Sequence, residues 1–439
     1  MSSATVKSWL TKLPLLCFVA LYFGHMWVIY QNSVNVPFWD EWVLLRPRGL
    51  PSGLSWWVFE QANEHRIIPT NLLTLLLLYT TGWNHVVSML VTYALYGVLL
   101  AALYVFARKT VPHLPAWVVF AFLAFLLSPI NWENHFWGFE SSYHFAMLFS
   151  LLAAYFLFAG PQTGKRLASG AALAVLATYS FFSGLAVVLV LVALFGLFKI
   201  CRGGRREYLQ LAAVALPVLG LMSLYFINYR RVGHHPPAAL PHTASFWKFF
   251  TNLVSWGFGF ETDSVVLGAV CLLVVLAPLA LEVWEKGWRL PASSWAVYAF
   301  TLGVLCALAA ISVGRANGSG RAKISRYSDF AMMLVPCAVM VWAIFLKDRP
   351  APRRYVLAAL WVFCFVGFSY KWLWFPIYRE QADRRREGIR CIQTYYASGG
   401  DAVCRTLYTR PLAPMLEEGK RMNLSFYREL QEAGESERR

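Results

Sequence analysis

Charged residues are scarce in this chain. Asp, Glu, Lys and Arg make up 14% of its 439 residues, where a soluble domain carries about 25%. That is too little charge to cover a water-facing surface, so lipid is the solvent expected around most of the chain. Acid is scarcer than base: 23 Asp and Glu stand against 39 Lys and Arg, a formal net charge of +16. In a soluble protein this excess would point to nucleic acid. Here the basic residues sit in short connectors between apolar runs, where they set topology and meet anionic lipid headgroups, so no nucleic-acid partner is expected.

Metal-binding cysteine patterns are lacking too. Of the eight Cys, Cys17, Cys201, Cys271, Cys306, Cys337 and Cys364 lie in or beside apolar runs and read as inert core thiols. Neither a CxxC nor a Cys/His zinc spacing occurs. Cys391 and Cys404 share the hydrophilic tail, and an outer location there predicts a disulfide between them. No P-loop is present, and no internal repeat supports an inverted-repeat transporter.

Long apolar runs are abundant, as 58% hydrophobic and 16% aromatic residues require. A helical span needs about 20 such residues. Candidate spans cover roughly 13–30, 85–106, 115–130, 143–159, 167–182, 185–200, 208–228, 264–284, 293–313, 330–346 and 355–374. The fold class is therefore an all-α polytopic membrane protein with about eleven transmembrane helices. Lys7 and Lys12 ahead of the first run read as a retained signal anchor.

Basic residues orient the spans. Lys7/Lys12, Arg108/Lys109, Lys165/Arg166, Lys199/Arg202/Arg205/Arg206, Lys286/Arg289 and Lys347/Arg349/Arg353/Arg354 fall in alternate connectors if the apolar segment 67–80 does not cross. That segment is then an outer juxtamembrane helix within loop 31–84. The expectation is an integral protein of a bacterial inner membrane, with a cytoplasmic N-terminus, a transmembrane domain over 1–374 and a periplasmic or extracellular tail over 375–439. Loops 31–84, 131–142, 229–263 and 314–329 join the tail on the outer side, and any active site opens there.

The outer loops hold the candidate chemistry. Asp40 and Glu41 sit between Trp39 and Trp42; mutual repulsion and desolvation should raise their pKa, which suits a general base. Their oxygens would also suit a divalent cation such as Mg or Mn, the only cofactor expected. Glu64, His65 and Arg66 precede the short apolar helix and can meet an anionic group. Glu133, His135, Trp137 and Glu140 alternate acids with rings, as a sugar-binding surface does. Arg315, Arg321, Lys323, Arg326 and Tyr327 lie in a glycine-containing outer loop, against the positive-inside trend, as a phosphate requires. His234, His235 and His242 stand in a proline-rich loop that disfavours a shared metal. Asn317 and Asn423 begin glycosylation-type triplets. In the tail, residues from 378 onward read as an amphipathic helix, with a further polar segment from 423.

With these residues in view, the chain resembles the GT-C class of membrane glycosyltransferases, the superfamily of aminoarabinose transferases and protein O-mannosyltransferases. The resemblance covers roughly residues 13–106: a first span, Asp40 and Glu41 early in the first outer loop, His65 to Pro69, the short helix Leu72–Tyr79 and the turn Gly82–Trp83–Asn84. The paired prolines common in that class are replaced by Pro69–Thr70–Asn71. The resemblance implies transfer of a sugar from a polyprenyl-phosphate carrier to an envelope glycan or lipid acceptor, with inversion. Asp40 would act as base with Glu41 assisting, and the basic outer residues would hold the carrier phosphate. Two alternatives stand beside it. A flippase or transporter of a lipid-linked saccharide should show ionisable residues inside its spans, and few are expected here. An outer-face acyl or phospho-substituent transferase would centre on His135 and Glu133.

Overall fold

The computed structural model describes residues 3–46, 57–233, 236–318, 321–399 and 402–436, and His234 and His235 lie outside them. Among the described residues the fold is all-helical, with one isolated bridge between Ala62 and His65. Ten segments are helical, long and apolar enough to cross a membrane. They begin with Leu13–Asn32, His85–Thr110, Ala116–His135, Gly138–Phe158, Phe182–Arg202 and Arg205–Leu224. Val265–Lys286, Ala292–Arg315, Ser325–Phe345 and Pro350–Ser398 complete the set.

The expected eleventh span, 167–182, is the one that falls short. It forms the helix Gly164–Thr178, whose 15 residues reach only about 22 Å. Lys165 and Arg166 occupy its first turn, which removes them from the apolar run. The helix still runs alongside Ser141–Phe158 from end to end. Arg166 hydrogen-bonds the Ala159 carbonyl at one end, and just past the other the Phe181 ring packs, tilted, 4.2 Å from Tyr143.

Segment 67–80 is the short apolar helix Ile68–Thr81, of 14 residues. It ends at Gly82, whose φ of +65° carries the chain into the left-handed region. The Gly82 and Trp83 amides then bond the carbonyls of Leu78 and Leu77, which satisfies the helix end. Asn84 caps the next helix, accepting from the Val87 amide at 3.1 Å. One turn thus stops a helix too short to span and starts one long enough.

The two ends of the bundle are sorted by chemistry. At one end lie the basic connectors. His113 bonds the Ala343 carbonyl, Gln210 bonds the Gln162 carbonyl, Lys199 pairs with Glu207 and Arg349 with Glu285. At the other end all the loops assigned to one side meet. Trp39 donates to the Leu407 carbonyl, Gln61 to that of Arg230, Asn317 to that of Pro237 and Lys323 to that of Thr262.

The tail docks on this second end. The helix Pro376–Ser398 buries Tyr378, Gln381, Ala382, Arg385, Gly388 and Ile392, the one-sided spacing of an amphipathic helix. A disulfide joins Cys391 to Cys404 across a Cα–Cα distance of 5.7 Å. The segment expected only as a polar stretch from 423 is the helix Ser425–Ser436, tied to the first loop through Asn35 and Ser425.

Candidate functional site

Asp40 opens the site. It lies in the short 3-10 helix Trp39–Leu45, whose amide at Trp39 is held by the Leu407 carbonyl. Its carboxylate accepts from the Asn63 amide group at 3.2 Å. Trp39 and Asn63 both have left-handed backbones, with φ of 46° and 52°. Asn tolerates that region; for Trp it is strain, which structures retain where a side chain must be aimed. Burial raises the Asp40 carboxyl above its ordinary value, and Arg326, Asn63 and Arg315 pull it back down.

Glu41 does not share this position. Its side chain turns inward, accepts from the Phe38 amide at 2.9 Å and lies 3.4 Å from His85 with both groups buried. The sequence treats the two acids as a pair because they are adjacent. A 3-10 helix points neighbouring side chains about 120° apart, so one faces the loops and the other the core. Asp40 and Glu41 thus meet different partners, Asn63 and His85.

Acids and arginines from four more segments surround Asp40. Arg315, at the end of Ala292–Arg315, lies 3.3 Å from Glu64. Arg326, in the first turn of Ser325–Met332, lies 3.8 Å from Glu133, and the Arg326 amide donates to that carboxylate at 2.9 Å. Glu140 is buried beneath them, within the field of Arg326, Glu133 and Asp40. Tyr327 stands beside Arg315 and Arg326. The acidic and basic groups expected as separate patches are therefore interleaved, and each arginine has an acidic partner.

Five candidates make other contacts. Arg66 donates to the carbonyls of Phe59, Tyr225 and Ile227, so it clamps loops. His65 stacks 3.9 Å from Phe181 and its Nδ1 receives the Phe182 amide. Lys323 turns to Asp263 at 3.6 Å. Arg321 is exposed. Trp137 is buried between Phe38 and Phe139 rather than presented to solvent.

His135 belongs to a second, deeper assembly. It is fully buried with His144, Asp329 and Asn131. The Asn131 amide group donates to Asp329 at 2.6 Å and lies 3.2 Å from His135 Nε2. His144 Nε2 lies 2.9 Å from the second Asp329 oxygen. On the far side, His135 Nδ1 faces the Tyr378 hydroxyl at 3.5 Å, and that hydroxyl meets His25 Nε2 at 2.7 Å. Donor atoms of His135, His144 and Asp329 lie within 4.8 Å of one another, a set that can hold a metal ion. Sequence reasoning named His135 and His144 in one loop and weighed a His/Glu metal site there, but it missed Asp329, Asn131 and His25. The available signal for His25 was a lone ionisable residue inside an apolar run.

No protein-family model matches the chain, and no curated protein matches it by sequence.

Proposed function

We propose that the protein is a membrane glycosyltransferase that moves a sugar from a polyprenyl-phosphate carrier to an envelope glycan or lipid acceptor. The observation that carries this reading is the convergence on Asp40 of Arg315 and Arg326, which come from different elements. A carboxylate raised by burial can take a proton from an acceptor hydroxyl. Arginines that face the same space can neutralise the phosphate as it leaves. The acceptor oxygen bonds to the anomeric carbon, the carbon–phosphate-oxygen bond breaks, the proton passes to Asp40 and polyprenyl phosphate departs. Glu64 and Glu133 hold the two arginines in place until a phosphate competes for them. Glu140 is left as a buried carboxylate able to meet sugar hydroxyls.

In this reading the end of the bundle that carries Asp40 faces the periplasm or cell exterior, and the basic connectors face the cytoplasm. The test is Asp40→Asn in the native host, with surface-glycan mass as readout. Loss of one sugar increment while the protein remains folded supports the transferase; an unchanged glycan removes Asp40 from the mechanism.

One observation favours a second reading. His25, His144, Asp329 and Glu282 are buried inside candidate spans, and intramembrane ionisable residues mark transport and proton pathways. A flippase for a lipid-linked saccharide would use them. Deletion would then trap the lipid-linked intermediate on the cytoplasmic leaflet, whereas loss of a transferase would trap it after translocation.

A further inference from the structure

We infer that His135, His144 and Asp329 form a resident binding site for one divalent transition-metal ion of the zinc class, buried beneath the Arg326–Glu133 pair. The inference stands apart from glycosyl transfer, since nothing in it depends on a sugar or a phosphate.

The argument begins with protons. His144 Nδ1 lies 3.2 Å from the Thr92 carbonyl oxygen, which can only accept. Nδ1 therefore carries the ring hydrogen, and a neutral His144 offers a lone pair at Nε2. Nε2 lies 2.9 Å from an Asp329 carboxylate oxygen. The pair needs positive charge there: a proton on Nε2, or a metal ion seated to one side of both atoms, since bonds of about 2.0–2.2 Å leave no room for it on the line between them. His135 shows the same polarity. Asn131 must direct its amino group to Asp329 Oδ1, and the same nitrogen lies 3.2 Å from His135 Nε2, which makes that atom an acceptor as well. Tyr96 cannot supply a hydrogen, because its hydroxyl donates to the Leu126 carbonyl at 2.6 Å. The side-chain oxygen of Asn131 is buried and has no partner. The centre is thus rich in lone pairs and short of hydrogens, in a place where no water-facing surface relieves it.

Two imidazole nitrogens and one carboxylate oxygen are the donor set of zinc and non-haem iron sites. Magnesium and calcium prefer all-oxygen shells, and Cu(I) prefers sulfur. The outer contacts are also those of a metal site. The Thr92 carbonyl fixes His144, and Tyr378, itself bonded to His25, faces the remaining nitrogen of His135. Such partners orient ligating histidines.

The ligands come from three elements: Trp132–His135, Ser141–Phe158 and Ser325–Met332. His135 is two residues from Glu133, and Asp329 is one helical turn from Arg326. An ion there would pin the backbones that bring Arg326 and Glu133 together, acting as a clip rather than as a reactant.

The test uses the full chain, expressed in medium containing zinc, manganese and iron and purified in detergent without chelator. Elemental analysis should find about one ion per folded chain, since binding to a preformed buried site is tight. Asp329→Asn should lose it. The new amide group can donate to His144 Nε2, so a plain hydrogen-bond network accepts this variant and keeps its fold. Wild-type protein should also melt lower after chelation and recover with added Zn²⁺. Folded wild-type protein with no more metal than Asp329→Asn, and a melting temperature indifferent to chelator and to Zn²⁺, would overturn the site and leave a proton shared between His144 and Asp329. If Asp329→Asn fails to fold, the wild-type metal content and chelation response decide alone.

Discussion

Asp40 carries a conflict between what the residue does and what it costs. Its carboxyl pKa is raised from 3.8, first by burial. A group whose folded pKa is raised in this way is worse off ionised in the fold than in the unfolded chain, so above that pKa its charge detracts from stability. Asp40→Asn removes the charge and keeps the shape. We expect it to melt at the same temperature as wild type or higher, while transfer falls about 10²- to 10⁴-fold, the usual contribution of a general base. The base must be ionised to work, so the acid limb of the pH–rate profile should lie above 3.8, and activity should fall as pH drops through it. Arg326→Gln should raise the apparent KM for the carrier more than Arg315→Gln, because Arg326 heads the influences that oppose the rise at Asp40. Arg321→Gln, at an exposed position, should change neither value. These residues were legible in the sequence as acids and arginines in loops of one side. What was not legible is direction. Adjacency linked Glu41 to Asp40, and the turn of one short helix sends Glu41 to His85 instead.

The elements hold the site through close approaches that only particular residues permit. Ala244–Gly257 passes so near to Ser325–Met332 that a Cβ on Gly257 would lie 2.1 Å from the Ala331 carbonyl oxygen. Backbone on both sides leaves no flexible atom to yield. Gly257→Ala should destabilise by about 1–3 kcal/mol, the range for overpacked cores, and its melting temperature in detergent reads this. Activity should fall with it, because the displaced helix carries Arg326 and Asp329. In the tail, the Cys391–Cys404 bridge closes a short loop. Its removal by Cys391→Ser should cost about 3 kcal/mol on the chain-entropy estimate, and a non-reducing peptide map should recover the two cysteines together. Spans were legible because hydropathy over about 20 residues is a strong signal. Gly164–Thr178 is shorter than the run 167–182 because the helix stops at Tyr179, and Tyr179–Ser180–Phe181 turn the chain into the next helix although they are still apolar enough to extend the run. The buried centre was only partly legible for a different reason: His25 and Asp329 lie far from His135 and His144 in sequence, and only tertiary packing brings them together.

At the scale of the whole molecule, the sorting of connectors predicts access. Single cysteines introduced at exposed positions near Arg349 and near Arg321 should react with a membrane-impermeant thiol reagent from opposite sides of sealed vesicles. Labelling of both from one side would overturn the shared arrangement of the loops. The joining of first loop to last helix has a consequence in time as well as space. Asn35 is bonded to Ser425 and Glu429, and Trp39, next to Asp40, is held by Leu407. A ribosome makes one partner of each contact at the start of synthesis and the other near its end. Every span can be inserted while the strained turn at Trp39 still has nothing to hold it. A nascent chain stalled before residue 402 would therefore sit in the bilayer fully threaded yet inert, and its maturation would wait on the last few dozen residues to be translated.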